Sequence, residues 1–306
     1  MKSNNNQLVI NWHLTELCNY ECQYCYAKWS DSDYRKNIII EPHSRTRLLD
    51  ELYAFFRPDN PNTPLMPQLS WSRVRLNFAG GEPLIYDKWL PDSASQASSL
   101  GMDVSLITNG SRLGRSAFKR LLPFLTTLGV SIDSACDQTN NLIGRKSRLG
   151  SPMDVSQICE QLIETKKAYP RLQLKINTVV SSLNYHEDLT DLITDLSPAK
   201  WKVLKMLPVV DDKLTITDAQ FCQFISRHKA LSSIMYPENG TDMRESYIMI
   251  DPYGRFYQNV PDGIGYQYSA SILEVGVEQA FRQLTFNSQR FENRYLALNQ
   301  RVKYEV

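Results

Sequence analysis

Short apolar runs alternate with segments of helical periodicity along the first two thirds of the chain. The apolar runs predict strands at 8–14, 74–78, 103–108, 128–132, 172–180 and 201–207. Between them, apolar residues recur with the spacing of one helix face, which predicts helices at 45–56, 89–100, 116–125, 153–169 and 187–196. This alternation is typical of βαβ units that form a parallel sheet covered by helices.

The predicted fold class is α/β, a partial (β/α)6 barrel with a C-terminal extension. Six units are fewer than the eight that close a full barrel. We expect a flexible N-terminus at 1–8, an open barrel at 9–207, and an extension at 208–306 that packs on the barrel and covers its site. Ligands of parallel sheets bind at the carboxyl ends of the strands. The extension is predicted to contain helices at 221–228 and 274–284 and a hairpin at 247–257.

Composition excludes several classes of protein. The 306 residues include 34 Lys and Arg and 33 Asp and Glu, which gives a formal net charge of +1, and 42% are hydrophobic. These values exclude a disordered chain and a protein that attracts nucleic acid through an overall positive field. No apolar run reaches the roughly 18 to 20 residues that span a bilayer, and the polar N-terminus is unlike a signal peptide. We therefore expect a cytoplasmic protein.

Three of the six cysteines fall within eight residues. Cys18, Cys22 and Cys25 have the spacing C-x3-C-x2-C and directly follow the first predicted strand. A zinc site usually has a fourth Cys or His ligand nearby, whereas an iron–sulfur cluster is held by thiolates. Three thiolates on a four-iron cube leave one iron open to a substrate or cofactor. The spacing favours the cluster, and zinc remains the alternative. The other cysteines are expected to be small buried hydrophobes: Cys136, Cys159 and Cys222.

A glycine turn follows the second predicted strand, in the segment Ala79-Gly80-Gly81-Glu82-Pro83. Glycines let backbone atoms approach a ligand closely. Together, the cysteine spacing, the aromatic residue Tyr24 before the last cysteine and this turn resemble the radical SAM superfamily. That resemblance implies a 4Fe–4S cluster on Cys18, Cys22 and Cys25 and a bound S-adenosylmethionine (SAM).

A longer series of motifs resembles one family, the viperins, and specifically the prokaryotic viperins. The resemblance runs from residue 9 to residue 295, and its most specific elements are Leu-Ile-Gly-Arg at 142–145 and Trp-Lys-Val at 201–203. It implies a lyase that dehydrates CTP, UTP or GTP to the 3′-deoxy-3′,4′-didehydro nucleotide. A 5′-deoxyadenosyl radical would remove H4′ of the ribose. The product would terminate polymerase chains and serve antiviral, anti-phage defence.

The resemblance also implies roles for individual residues. SAM would be bound by seven residues, with Arg145 pairing its carboxylate: Tyr24, Gly80, Gly81, Glu82, Asn109, Ser131 and Arg145. The nucleoside triphosphate would be bound by seven others: Asn11, Arg75, Asn77, Lys175, Asn177, Lys202 and Tyr247. Tyr247 would be catalytic, assisting loss of the 3′-hydroxyl or delivering a proton.

The basic residues of this set lie inside strand runs, where a cation is costly unless it pairs with an anion. Arg75, Lys175 and Lys202 are therefore expected to hold phosphates, unless nearby carboxylates or solvent satisfy them. An electron donor such as flavodoxin or ferredoxin is an expected partner. We expect a monomer, with no membrane and no nucleic-acid polymer among its partners. The amphipathic membrane helix of animal viperins is absent, so attachment to the ER or to lipid droplets is not implied. The terminal tryptophan of the animal proteins is absent too, which puts a tail-mediated link to iron–sulfur assembly factors in doubt.

Two alternatives remain. A radical SAM enzyme that acts on a peptide usually carries a second cysteine-rich region, and one that modifies RNA would favour a basic domain. Neither feature is present in this sequence. A non-enzymatic iron–sulfur or zinc module would bind no substrate and would not cleave SAM.

Overall fold

The computed structural model describes residues 7–27, 33–63, 65, 69–147, 150–209, 212–260 and 265–294. Within these residues the strands form one ten-stranded sheet with the order β10-β9-β8-β1-β2-β3-β4-β5-β6-β7. The strands are β1 Gln7–His13, β2 Arg73–Ala79, β3 Asp103–Thr108, β4 Leu125–Ser131, β5 Gln173–Val180, β6 Lys200–Lys205, β7 Met235–Glu238, β8 Ile248–Ile250, β9 Arg255–Asn259 and β10 Tyr266–Ser271.

The helices are α1 Pro42–Phe56, α2 Leu90–Ser99, α3 Ser116–Leu121, α4 Asp137–Ile143, α5 Val155–Ala168, α6 Thr190–Leu196, α7 Asp218–Arg227, α8 Gly240–Met243, α9 Ile272–Val275, α10 Val277–Phe281 and α11 Ser288–Asn293. Helices α1 to α8 lie between strands in the chain, and α9 to α11 follow the last strand. Shorter 3₁₀ turns lie at Tyr34–Lys36, Ile38–Ile40, Pro83–Tyr86, Leu122–Phe124 and Lys229–Leu231. No helix within the described ranges is long and apolar enough to cross a bilayer.

The parallel part of the sheet follows the chain order. Strands β1 to β7 pair successively and in parallel. Parallel strands are covered on both faces, so they read as nearly continuous apolar runs. Ile10 and Trp12 of β1, for example, are both fully buried. This explains why the six predicted strands are present, and the α/β, open-barrel fold class is confirmed.

The region after residue 207 continues the same sheet. Strand β8 pairs in parallel with β1, and β9 and β10 follow in antiparallel order. Strand β7 lies at the opposite edge of the sheet. The chain between β7 and β8 therefore passes through α8 from this edge to the far side of β1. The predicted boundaries at 8 and 207 remain predictions, and residues 1–6 and 295–306 lie outside the described residues.

The predicted helix at 274–284 is wrong in one respect. The structure has two short helices, α9 and α10, separated by Gly276 at φ +82°. Such a backbone conformation is open to glycine and interrupts the helical ladder. The apolar periodicity continues across the break, because both helices bury apolar side chains, and periodicity alone therefore predicted one helix.

Candidate active site

Alternate residues of the parallel strands line a cavity of about 480 Å³ inside the sheet. Successive side chains of a strand point to opposite faces, so residues two apart share the inner face. Lys175 and Asn177 of β5 obey this rule, as do Lys200 and Lys202 of β6. All the predicted site residues line this cavity except Glu82. The structure therefore brings together residues from Asn11 to Tyr247 in one place.

Three thiols reach the cavity from the cysteine loop, residues 14–27, which follows β1. Cys18, Cys22 and Cys25 are half-buried and line one wall. The Tyr20 N–H donates to Cys18 Sγ at 3.4 Å, a type of contact that also stabilises a thiolate. Burial raises the pKa of Cys18 and of Cys22 to about 11. Among the described residues, no group of three or more His, Cys, Asp and Glu side chains is arranged to hold a single metal ion.

The end of α4 braces the cysteine loop. The N–H groups of Glu21 and Gln23 donate to the carbonyls of Gly144 and Ile143 at 3.1 and 3.0 Å. Gly144 ends α4 at φ +92°, and a Cβ at this position would lie 2.3 Å from the Glu21 carbonyl oxygen. Only glycine allows this close approach. The Leu-Ile-Gly-Arg motif therefore fixes the backbone that carries Cys22.

The glycine turn packs directly on the same loop. The Gly81 N–H donates to the Thr15 carbonyl at 2.6 Å, and a Cβ on Gly81 would lie 2.1 Å from the Leu17 carbonyl oxygen. Gly80 has φ +138°, and a Cβ there would lie 2.7 Å from the Thr15 carbonyl oxygen. The two glycines are thus required by contacts within the protein, besides any contact with a ligand.

The carboxylate of Glu82 points away from the cavity. It is fully buried and accepts hydrogen bonds from Thr108 Oγ1 at 2.8 Å and from the N–H groups of Asn109 and Leu84 at 2.8 and 3.1 Å. Burial raises the pKa of Glu82, and these donors oppose the rise. The side chain ties the end of β2 to the end of β3. The contact of Glu82 with SAM stays a prediction. It would involve main-chain atoms of Glu82, because the side chain is engaged elsewhere.

Arg145 is held by a buried ion pair that sequence reasoning did not include. Its Nε lies 2.6 Å from Asp133 Oδ2, and both side chains are at most 5% exposed. Asp133 Oδ1 also accepts the Val179 N–H at 2.8 Å. The guanidinium thus stands fixed in the cavity wall, where it can pair with a carboxylate. Its predicted pairing with SAM remains a prediction.

Tyr24 and Asn177 each place a buried polar atom on the cavity wall. The Tyr24 hydroxyl and Asn177 Oδ1 are buried and accept or donate no hydrogen bond among the described residues. A buried polar group without a partner is costly, so these atoms fit a polar ligand between the cysteine loop and β5. Together with the three thiols of the cysteine loop, these polar atoms give the cavity the groups that would hold a 4Fe–4S cluster and SAM.

The other end of the cavity is strongly basic. Five cations line it and are called here the cation cluster: Arg75, Lys175, Lys200, Lys202 and Arg294. Burial, followed by repulsion from Lys202 and its neighbours, holds the pKa of Lys175 and of Lys200 well below the usual value. Sequence reasoning missed Lys200 and Arg294. The alternation of β6 gave a signal for Lys200, two residues before Lys202, whereas Arg294 had none.

One carboxylate, Glu238, stands among these cations. Its Oε1 lies 2.8 Å from Lys202 Nζ and 3.5 Å from Arg294 Nε. The Tyr247 hydroxyl donates to Glu238 Oε2 and accepts from Lys202. The Arg294 guanidinium lies over the Tyr247 ring, 3.4 Å from its centre. Burial alone would raise the pKa of Glu238, but Lys202, Arg294 and the hydrogen bonds lower it to about 2.

Asparagines form the middle of the cavity wall. Asn77 Nδ2 donates to Asn11 Oδ1 at 2.9 Å, and Ser105 Oγ donates to Asn77 Oδ1 at 2.8 Å. Asn11 Nδ2 reaches the Ile248 carbonyl at 3.2 Å and so links β1 to β8. This network spaces the cysteine loop from the cation cluster and still leaves hydrogen-bonding capacity on each amide.

Aromatic side chains lie beside Cys25 at the cysteine end of the cavity. The Tyr257 hydroxyl lies 2.9 Å from His13 Nδ1, and the rings of His13 and Tyr26 are 5.5 Å apart. Burial lowers the pKa of His13 to about 3, so its imidazole is neutral.

The other three cysteines lie outside the cavity lining. Cys159 and Cys222 are half-buried, whereas Cys136 is exposed, so the prediction of a buried thiol is wrong for Cys136.

Comparison with known proteins agrees with this geometry. The model of the radical SAM superfamily matches residues 12–180. The S-adenosylmethionine-dependent nucleotide dehydratase of Psychrobacter lutiphocae is 39% identical over 291 residues, which cover 95% of this chain and 95% of that protein. The protein of the same name from Pseudoalteromonas ulvae is 37% identical over 293 residues, which cover 96% of this chain and 94% of that protein. The chain belongs to the viperin family of radical SAM enzymes.

The solved structures add evidence on the fold. The structure of anSMEcpe with bound AdoMet superposes with a TM-score of 0.61 at 15% identity, covering 93% of this chain and 84% of that one. At this identity the likeness shows the fold alone. Family membership confirms the predicted cofactors, a 4Fe–4S cluster and SAM, and the prediction of a radical SAM enzyme that dehydrates nucleotides.

Proposed function

We propose that this enzyme dehydrates a nucleoside triphosphate, CTP, UTP or GTP, to the 3′-deoxy-3′,4′-didehydro nucleotide. The observation that carries the proposal is the single cavity that joins three thiols to the cation cluster. A triphosphate carries negative charge that can pair with the cation cluster. The relatives named nucleotide dehydratases support the reaction class. The product would terminate polymerase chains in the cytoplasm, in defence against phage.

Different residues along the cavity are proposed to bind the cluster, SAM and the nucleotide. Held by the cysteine loop, the 4Fe–4S cluster with SAM supplies the one-electron chemistry that removes a hydrogen atom from ribose C4′. Arg145, Tyr24, Asn109, Ser131 and the glycine turn are proposed to hold SAM. The cation cluster binds the three phosphates by charge-assisted hydrogen bonds. Because the phosphates are held at one end, the ribose lies between them and the cluster, beside Asn11, Asn77 and Asn177.

Tyr247 is proposed to give a proton to the leaving 3′-hydroxyl, which then departs as water. Its half-buried phenol is hydrogen-bonded to Lys202 and Glu238 at the phosphate end of the cavity. An external electron donor such as flavodoxin or ferredoxin supplies the electron that completes the product. A side chain that only filled the core would not need both polar contacts.

The test is anaerobic turnover. The reconstituted protein is mixed with SAM, dithionite and each nucleoside triphosphate in turn, and products are analysed by mass spectrometry. We expect a product lighter than one triphosphate by one water, with 5′-deoxyadenosine formed in step. The corresponding monophosphate should react at least tenfold less efficiently, because it leaves most of the cation cluster unpaired.

Two outcomes would contradict the proposal. 5′-Deoxyadenosine without any change in a nucleotide would move the substrate to another class, such as a peptide or RNA. No SAM cleavage by a fully loaded cluster would leave only a binding module. As a matched pair, Cys22→Ala should lose iron and both products, whereas Cys222→Ala, on α7 outside the cavity lining, should keep them.

A further inference from the structure

We propose that Glu238 is a positioning residue that orients the phenol of Tyr247 and returns its proton after each turnover. This inference rests on the proposed function, in which Tyr247 protonates the leaving hydroxyl. Glu238 was not among the residues that the sequence predicted. It is fully buried at the end of β7, and its carboxylate forms an ion pair with Lys202 at 2.8 Å and accepts a hydrogen bond from the Tyr247 hydroxyl.

The position of Glu238 is set by the topology of the sheet. Glu238 ends the strand at one edge, and Tyr247 directly precedes β8 on the far side of β1. The intervening α8 begins with a reciprocal cap in which Asn239 and Asp242 each accept the other's N–H. This connection brings the phenol and the carboxylate, nine residues apart in sequence, into hydrogen-bond contact.

Charge balance alone does not account for this carboxylate. The acidic residues that line the cavity, within the described part of the chain, are Asp133 and Glu238. Asp133 is engaged by Arg145 and a backbone N–H. Glu238 likewise pairs with Lys202, at 2.8 Å, but it stands among the cations of the cluster, where it repels an incoming phosphate. A site built only to attract triphosphate would bind more tightly without Glu238, so its presence points to a second task.

The hydrogen bonds define that task. An ionised carboxylate only accepts hydrogen bonds, so the Tyr247 O–H points to Glu238 while Lys202 donates to the phenol oxygen. Once the carboxylate is protonated, the phenol O–H turns from it to the leaving oxygen. The phenol O–H bond then breaks as the C3′–O bond breaks with both electrons on oxygen, water leaves, and the external donor supplies the one electron that closes the 3′,4′ double bond. The phenolate, stabilised by Lys202 and Arg294, then takes a proton that Glu238 has received from solvent. Glu238 returns to its carboxylate form.

The proton on Glu238 is controlled by the groups that face it. Lys202 lies on β6, Arg294 follows α11, and Tyr247 precedes β8. Lys175 and Lys200 add positive charge from β5 and β6. A bound triphosphate neutralises these cations, which makes protonation of the carboxylate easier than in the empty cavity. Substrate binding thereby prepares the proton donor.

The experiment compares Glu238→Gln, Glu238→Asp, Tyr247→Phe and the double variant Glu238→Gln/Tyr247→Phe as reconstituted holoenzymes. The rates of dehydrated nucleotide and of 5′-deoxyadenosine are measured separately at saturating triphosphate, together with KM and iron content. For Glu238→Gln we expect kcat for dehydration to fall about 10- to 100-fold. 5′-Deoxyadenosine formation should persist, so the product ratio falls, and KM should not rise.

Matched variants separate a relay from a simple counter-ion. Glu238→Asp, which keeps a titratable carboxylate, should restore part of the ratio. Tyr247→Phe should lower the ratio as Glu238→Gln does, and the double variant should lower it no further. Glu278→Gln, on the exposed face of α10, should match the wild type.

Three results would overturn the inference. The first is an unchanged product ratio in Glu238→Gln with a lower KM alone, which would make Glu238 a counter-ion. The second is a double variant with independent, multiplied losses. The third is an unchanged ratio of dehydrated nucleotide to 5′-deoxyadenosine in Tyr247→Phe. This result would contradict the inference even if Glu238→Gln lost its iron and could not be assayed. Wild-type enzyme that forms no dehydrated nucleotide would contradict the proposed function instead.

Discussion

At the scale of single residues, Asp133 shows how the protein fixes a functional cation. The carboxylate is fully buried, and it holds Arg145 and the Val179 N–H with its two oxygens. A buried ion pair contributes little net stability when intact, but removing one partner leaves a buried charge unpaired. Arg145 is therefore fixed in orientation before any ligand arrives.

Asp133→Asn is expected to destabilise the cluster-free protein by about 3 to 5 kcal/mol, because it leaves the Arg145 charge without its partner. Urea unfolding measures this change in the free energy of unfolding. Asp59→Asn is the control, since Asp59 forms an exposed pair with Arg57 at 3.5 Å and should change stability by less than about 1 kcal/mol. Equal effects of the two substitutions would contradict the importance of the buried pair.

Single residues also show how far the sequence could predict the site. Lys175 and Lys202 were predicted because family motifs contain them, and the alternation of β6 would have added Lys200 to the same face. Glu238 and Arg294 were not predictable by pattern. They reach the cavity from β7 and from the end of α11, and their meeting depends on how distant elements pack. Asp133 was visible at the end of a predicted strand, but its pairing with Arg145 was not.

At the scale of elements, the contact between α4 and the cysteine loop links packing to the cluster. Gly144 ends the helix in the left-handed conformation against the Glu21 carbonyl. Any side chain there meets backbone atoms, which cannot move without shifting Cys22. The helix end therefore acts as a fixed support for the loop.

Gly144→Ala is expected to lower the iron bound per chain after reconstitution to less than half, because a Cβ would displace the loop. Gly150→Ala is the matched control: Gly150 also has a positive φ, of +84°, but a Cβ there meets nothing within 4 Å. Both substitutions strain the backbone, and only the first meets the cysteine loop. Iron analysis and the absorption spectrum give the comparison, and equal iron in the two variants would contradict this role of α4.

The elements themselves were predictable to different degrees. Strand β3 was predicted with correct bounds, because Val104, Leu106 and Ile107 are apolar and the Asn109-Gly110 turn follows directly. Strand β7 was missed, since it is four residues long and contains Pro237. Helix α4 was missed because its seven residues are mostly polar, and only Asn140 and Ile143 are buried. Short elements are stabilised by tertiary contacts, which local patterns do not report.

At the scale of the whole molecule, charge is distributed unevenly. The net charge of the chain is only +1, yet five cations and one carboxylate share one end of the cavity. In the empty protein, burial and mutual repulsion hold the pKa of Lys175 and of Lys200 well below normal. A bound polyphosphate pairs with these groups and raises both pKa values.

Binding of inorganic tripolyphosphate should therefore take up protons, and its affinity should rise as the pH falls from 9 to 7. The sign follows because the complex holds more protons than the free protein between the lowered and the restored pKa values. For the same reason, the ligand-free protein should become more stable as the pH rises toward the normal lysine pKa, since the unfolded chain binds the protons that the folded chain loses.

Isothermal titration of tripolyphosphate at several pH values, with the pH 7 series repeated at higher ionic strength, measures this linkage. We expect the dissociation constant to fall at least fivefold from pH 9 to pH 7 and to rise with salt. Lys175→Ala should weaken binding and flatten the pH dependence, whereas Lys167→Ala, an exposed residue on α5, should change neither. Affinity that is constant across this range, or greater at pH 9, would show that the cation cluster is fully charged in the empty cavity. The free-energy cost of burying these charges would then be offset by other groups of the protein, without a bound ligand.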